Sequence, residues 1–183
     1  MVNKKFLIIV IVVVFSIVAL VAFRVLTSRQ LSPSQTITHN YKGLDIKVVY
    51  CRPYKKGRLI FGEEKDSVLL PYGKYWRLGA NEATEITFSK DVNFAGKPLK
   101  AGSYRIYAVP SELSWNISLN SELGKWGYDE PNYSMDVLKV DVPVETTPNV
   151  TEQFTISFSS DATEVKMNLI WDKIHLQAPI QVQ

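Results

Sequence analysis

Cysteine and histidine are nearly absent from this chain of 183 residues, which carries Cys51 alone and two histidines, His39 and His175. A single cysteine excludes an intramolecular disulfide framework and leaves the redox compartment undecided. So few soft and imidazole ligands give no metal cluster, and no metal is expected. Neither histidine has a sequence partner for base catalysis, so both read as ordinary surface or strand residues. No glycine-rich phosphate loop and no nucleophile-elbow pattern occurs, and no cofactor is expected. No internal repeat is evident. A basic surplus is also missing. The formal charge is +3, but four Lys/Arg and no Asp/Glu fall in the first 30 residues, leaving 17 basic and 18 acidic residues for the remainder. That balance lacks the basic footprint of a nucleic-acid binder, and no nucleic-acid partner is expected.

What is present first is one long apolar run. Phe6 to Phe23 is interrupted only by Ser16 and flanked by Lys4, Lys5, Arg24 and Arg29. At about 1.5 Å per residue the run reaches roughly 27 Å, close to the hydrocarbon thickness of a bilayer. It is longer than the apolar core of a cleaved signal peptide and lacks a small-x-small site, which favours an uncleaved signal anchor. The domain plan is then a short cytoplasmic tail over 1–5, a transmembrane anchor over 6–23, a polar linker over 24–35 and one domain over 36–183. Basic residues flank both ends, so the short tail and its free amine set the orientation, with the N-terminus inside and the domain outside the cytoplasm, in the periplasm or at the cell surface.

Beyond the linker the apolar period is two. Leu44, Ile46, Val48 and Tyr50 alternate with Asp45, Lys47 and Val49, and Arg52-Pro53 stops the strand. Trp115, Ile117 and Leu119 repeat the pattern, as do Phe154 to Phe158, Val165 to Trp171 and Ile174 to Ile180. Turns are expected at Lys55-Lys56-Gly57, with a short strand over Arg58 to Phe61 after it, near Ala95-Gly96 and around Pro148. About ten short strands with no amphipathic helix among them specify an all-β, antiparallel β-sandwich, with a jelly roll among the admissible strand orders.

Chemistry concentrates in Pro71 to Phe88, PYGKYWRLGANEATEITF. Arg77 offers paired donors for a carboxylate or phosphate, Asn81 a donor and an acceptor, Glu82 a carboxylate, and Trp76 a flat apolar face. Arg52 and Arg58, from a local basic run, and Trp126, from a later loop that also carries Tyr128, complete the candidate ligand-binding set. Gly79 permits positive φ and could turn Asn81 and Glu82 back toward Arg77. A small polar ligand, a glycan or an envelope protein would suit such a surface. Two other readings stay open. Glu82 could act as acid and base in a hydrolase or lyase with Arg77 and Asn81, joined by Asp129 or Asp136. Alternatively, a buried Arg77–Glu82 pair could pin the loop in a purely structural envelope module.

The motifs Arg52-Pro53, Lys56-Gly57-Arg58, Ile60-Phe61-Gly62, PYGKYWRLGANEATEITFS and LKAGSYRIYAVP, followed by Trp115 and Trp126-Gly127, occur in that order. Through them the chain resembles the DUF2911 family, a bacterial domain of unknown function, from about residue 31 onward. Cys51 stands where a serine-like residue is expected, and Leu78 where threonine is more usual. The resemblance implies an exported or anchored protein and carries over no catalytic residue.

Overall fold

In chain order the elements are α1 (Lys4–Leu31), β1 (Ser34–Tyr41), β2 (Leu44–Cys51), β3 (Phe61–Gly62), β4 (Leu70–Pro71), β5 (Glu85–Phe88), β6 (Val92–Phe94), β7 (Lys97–Leu99), β8 (Gly102–Val109), β9 (Ser114–Asn120), β10 (Asp136–Pro143), β11 (Glu145–Ser160) and β12 (Val165–Val182). This computed structural model describes residues 3–183; Met1 and Val2, part of the expected tail, lie outside the described residues.

Helix α1 begins at Asn3, whose side chain accepts the Lys5 N–H at 3.0 Å, and none of its residues is buried. It is long and apolar enough to cross a membrane. Its length differs from expectation. The helix continues past Phe23 through Arg24–Leu31, where a polar linker is expected, and the first strand follows at once. No glycine or proline interrupts residues 24–32, and the first breaker is Pro33, which turns Ser32 to φ −147°.

Two antiparallel sheets stack as a sandwich. One has six strands in the order β1-β2-β5-β8-β9-β10, the other four in the order β11-β12-β6-β7, and β3 and β4 form a small parallel pair beside them. Tight hairpins set much of the register. Lys42-Gly43 joins β1 to β2 at φ 50° and 75°, and Ala95-Gly96 joins β6 to β7 at φ 46° and 81°. Positive φ at both central residues matches the right-handed twist of paired strands. The alternation in β2 is realised as written in the sequence: Leu44, Ile46, Val48 and Tyr50 face the core while Asp45, Lys47 and Val49 face water.

Three local expectations give way to longer-range pairing. Thr146 to Val150 is not a turn but part of β11, an edge strand whose register slips between Thr146 and Thr151 and again before Thr155. Pro148 is tolerated because an edge strand need not donate every N–H. The last two apolar segments fuse into β12, bent at Asp172 with φ 55°. The short strand expected over Arg58 to Phe61 shrinks to Phe61–Gly62. At the end of the sandwich nearest α1 the core is aromatic, with the Trp76 ring 4.9 Å from Phe154, 5.4 Å from Trp115 and 5.8 Å from Trp171.

Candidate functional site

The Gly73–Ala83 loop is held against the sheet by its own backbone. Trp76 and Ala108 exchange two N–H···O bonds of 2.8 Å, the Thr84 hydroxyl donates to the Leu78 carbonyl at 2.7 Å, and the Trp76 indole donates to the Gly79 carbonyl at 3.1 Å. Leu78 and Asn81 are left-handed, with φ 50° and 57°, and Gly79 lies between them at φ 154°. A Cβ at Gly79 would stand 2.6 Å from the Cys51 carbonyl oxygen, so the close approach to β2 requires glycine.

This loop does not fold back on Arg77. It points Asn81 and Glu82 at the last turn of α1 instead. The Ser28 hydroxyl donates to Asn81 Oδ1 at 2.5 Å, and Asn81 Nδ2 donates to the Ser32 carbonyl at 3.3 Å. Both oxygens of Glu82 accept from the Arg29 guanidinium, one of them at 3.1 Å, and the Cys51 thiol adds a contact at 3.4 Å. Burial alone would raise the Glu82 carboxyl. Its own backbone N–H, the Cys51 thiol and Arg29 outweigh that and hold its pKa below the ordinary value. Burial, reinforced by Glu82, pushes the Cys51 thiol up.

Between this latch and the domain lies a cleft of about 830 Å³. One wall is α1 from Phe23 to Leu31; the other is the Gly79–Asn81 turn with Arg77, Tyr54, Lys56, Arg58, Trp126 and Tyr128. Among the described residues its charged lining is Arg24, Lys56, Arg58 and Arg77, with no Asp or Glu. None of the four takes part in an ion pair among the described residues. Arg77 is half-buried, its stem packs against Gly127, and its one hydrogen bond among the described residues is Nη1 to the Asn81 carbonyl at 3.5 Å. Burial pulls its pKa below the ordinary guanidinium value. A guanidinium has five N–H donors, so this one keeps nearly all its capacity for a guest.

The candidate residues therefore separate. Arg58, Trp76, Arg77, Asn81 and Trp126 line the cleft. Trp76 forms its floor and is only 3% exposed, whereas Trp126 is 50% exposed and Tyr128 76%. Arg58 reaches the cleft with Nε bonded to the Lys55 carbonyl at 3.0 Å and Nη2 to the Tyr54 carbonyl. Arg52 points elsewhere, donating to the Phe154 carbonyl at 3.1 Å and the Thr155 hydroxyl at 2.7 Å beside a shallow groove on the β1–β11 side. Glu82, itself part of the latch, does not line the cleft but borders two smaller neighbouring pockets. Of the two carboxylates considered as its partners, Asp136 accepts from Tyr107, Asn120 and Lys139, and Asp129 supplies its backbone carbonyl to Arg105.

Two features escape a reading of the sequence. The helix wall, with Arg24, Thr27 and Ser28, falls in the expected linker; the unbroken run up to Pro33 is the signal that would have placed it. The other is Arg105, 1% exposed in β8, which donates to the Tyr75 hydroxyl at 2.5 Å and to the Asp129 carbonyl and lies 3.7 Å from Glu122. Nothing in strand periodicity marks a buried guanidinium among tyrosines.

Residues 32–180 match the model of a family described as a protein of unknown function, DUF2911, and the chain belongs to that family. No curated protein and no solved structure gives a match.

Proposed function

We propose that this chain is a single-pass, membrane-anchored module whose β-sandwich stands outside the cytoplasm and binds a small anionic ligand in the juxtamembrane cleft. One observation carries the reading: among the described residues, four cations and no carboxylate line the cavity, and none of the four is in an ion pair. Holding a half-buried guanidinium without a counter-charge is costly, and a bound carboxylate, sulfate or phosphate removes that cost through charge-assisted hydrogen bonds. The volume suits a guest of modest size, since ligand pockets run to about 300–1,000 Å³. Trp126 and Tyr128 give the mouth flat apolar faces, which admits an acidic glycan as readily as a simpler anion.

Geometry favours binding over the hydrolase or lyase reading. An acid/base carboxyl needs a pKa near the working pH and access to substrate. Glu82 is tied to Arg29, its pKa is depressed, and it does not line the cleft.

The test is thermal unfolding of the full chain in an uncharged maltoside micelle with acidic sugars, dicarboxylates, glycerol 3-phosphate and neutral sugars. A ligand of the folded state raises the midpoint by mass action. Anions should raise it and neutral sugars should not, and Arg77→Gln should abolish the response while keeping its own midpoint. Equal responses to neutral and acidic sugars, or an Arg77→Gln variant that responds as the parent does, would sink the reading.

A further inference from the structure

We propose that the anion is the phosphate of a phospholipid in the same bilayer that holds α1, so that the cleft is a headgroup site at the membrane surface. This rests on the anion-binding reading above and adds the source of the anion. The first support is depth. The apolar run of α1 ends at Phe23, and the helix continues to Leu31. Those further residues rise about 12 Å at 1.5 Å each. The interfacial layer of one leaflet is about 5–8 Å thick, the difference between hydrocarbon and full thickness shared over two sides. Phe23 and Arg24, at the lower end of the cleft, therefore stand at the hydrocarbon boundary, and the segment up to Leu31 crosses the headgroup layer. A cavity walled by these residues opens where lipid phosphates lie.

The second support is the lining itself. Phe23, Leu31, Leu69 and Trp126 provide apolar surface beside the four cations. Leu69, Trp126 and Tyr128 are all exposed to solvent in the isolated chain. Large apolar and aromatic side chains clustered beside the end of a spanning helix match the aromatic belt that anchors proteins at bilayer interfaces. An inorganic anion would use the cations alone. A phosphodiester carrying acyl chains uses both, with its phosphate on Arg77, Arg58 and Lys56 and its glycerol and first methylenes against Phe23.

The two sources of phosphate can be separated on the full chain. In nanodiscs, quenching of tryptophan emission by phosphatidylglycerol brominated on its acyl chains is compared with quenching by brominated phosphatidylcholine at the same mole fraction. In maltoside micelles, inorganic phosphate and glycerol 3-phosphate are tested for stabilisation. Preferential quenching by the anionic lipid is expected. Losing a charge-assisted hydrogen bond should weaken that preference about tenfold or more in Arg77→Gln. Lys56→Gln should weaken it too. Lys56 is exposed and in no ion pair among the described residues, so this second variant keeps the fold even if Arg77→Gln does not.

If soluble phosphates stabilise the parent but not Arg77→Gln, and the two brominated lipids quench alike, the cleft binds anions and the lipid assignment is overturned. Failure of every probe overturns both proposals. A phosphatidylglycerol preference unchanged in both variants would reflect general attraction to the basic flanks, including Lys4 and Lys5, and also overturns the assignment.

Discussion

Asn81 is where α1 meets the sandwich, and its replacement separates two contributions that the structure places in one residue. Asn81 is 8% exposed, bonds Ser28 and the Ser32 carbonyl, and is left-handed at φ 57°. Two hydrogen bonds of ordinary net worth amount to about 1–3 kcal/mol. A left-handed conformation costs an alanine about 1–2 kcal/mol that asparagine largely avoids. Asn81→Ala should therefore destabilise the full chain by about 3 kcal/mol, which lowers the midpoint of a domain this size by about 6–12 °C. Asn81→Gly removes the same two bonds without the strain, although its freer unfolded chain takes back part of the gain. The glycine variant should melt about 2–4 °C above the alanine variant, corresponding to about 1 kcal/mol. The assay is far-UV circular dichroism on heating in maltoside, with denaturant titration to check that the slope is unchanged. An Asn81→Gly midpoint equal to the parent's would show that the helix contacts contribute nothing to the fold. Identical midpoints for the two variants would show that the left-handed turn is not enforced.

Three further outcomes follow from the same geometry. Trp76→Ala should cost about 3–5 kcal/mol, because the ring stands at the centre of an aromatic cluster and is 3% exposed; measured by thermal or urea unfolding, a loss below about 1 kcal/mol would contradict its place in the core. The Asp161 carboxyl, held by the Thr163 hydroxyl and the N–H groups of Thr163 and Glu164, is depressed from 3.8 to about 2. Its contribution to stability is present above the unfolded value and disappears as pH falls through the folded one, so carboxyl NMR should show titration near the lower value, and Thr163→Val should move it up; titration at the ordinary value in the parent would refute the turn. Cys51, 2% exposed with its thiol pKa pushed up by burial and Glu82, should alkylate slowly with maleimide in the folded chain and faster in Glu82→Gln.

The sandwich was legible because the sheets obey a rule that a short window can detect. Leu44 to Tyr50 and Trp115 to Leu119 alternate, and a buried face follows from that alone. The Ala95-Gly96 turn was readable for a similar reason, since it lies between two apolar segments that it must reverse. Where the window failed, a distant partner decided the outcome. Pro148 reads as a turn until β12 pairs beside it and leaves β11 at the edge. Asp172 reads as a break until a single left-handed residue lets one strand continue through it.

The central loop shows the limit most clearly. The density of Arg77, Asn81 and Glu82 on a glycine-bearing turn singles out a loop that borders the cleft through Arg77 and Asn81 and meets α1 through Asn81 and Glu82. The partner of Glu82 was not readable. Within the loop the nearest cation is Arg77, and sequence proximity pairs the two. In the structure Gly79 is pressed against the Cys51 carbonyl, which turns the chain so that Glu82 meets Arg29, 53 residues away. That exchange has a chemical consequence. Had Glu82 neutralised Arg77, the cleft would contain a satisfied ion pair and no reason to bind an anion. Because α1 extends two turns beyond its apolar run and supplies its own arginine to Glu82, Arg77 is left in the cavity with unused donors. The length of the helix and the unused donors of Arg77 beside it are thus one fact, and α1 takes part in building the cleft that it walls.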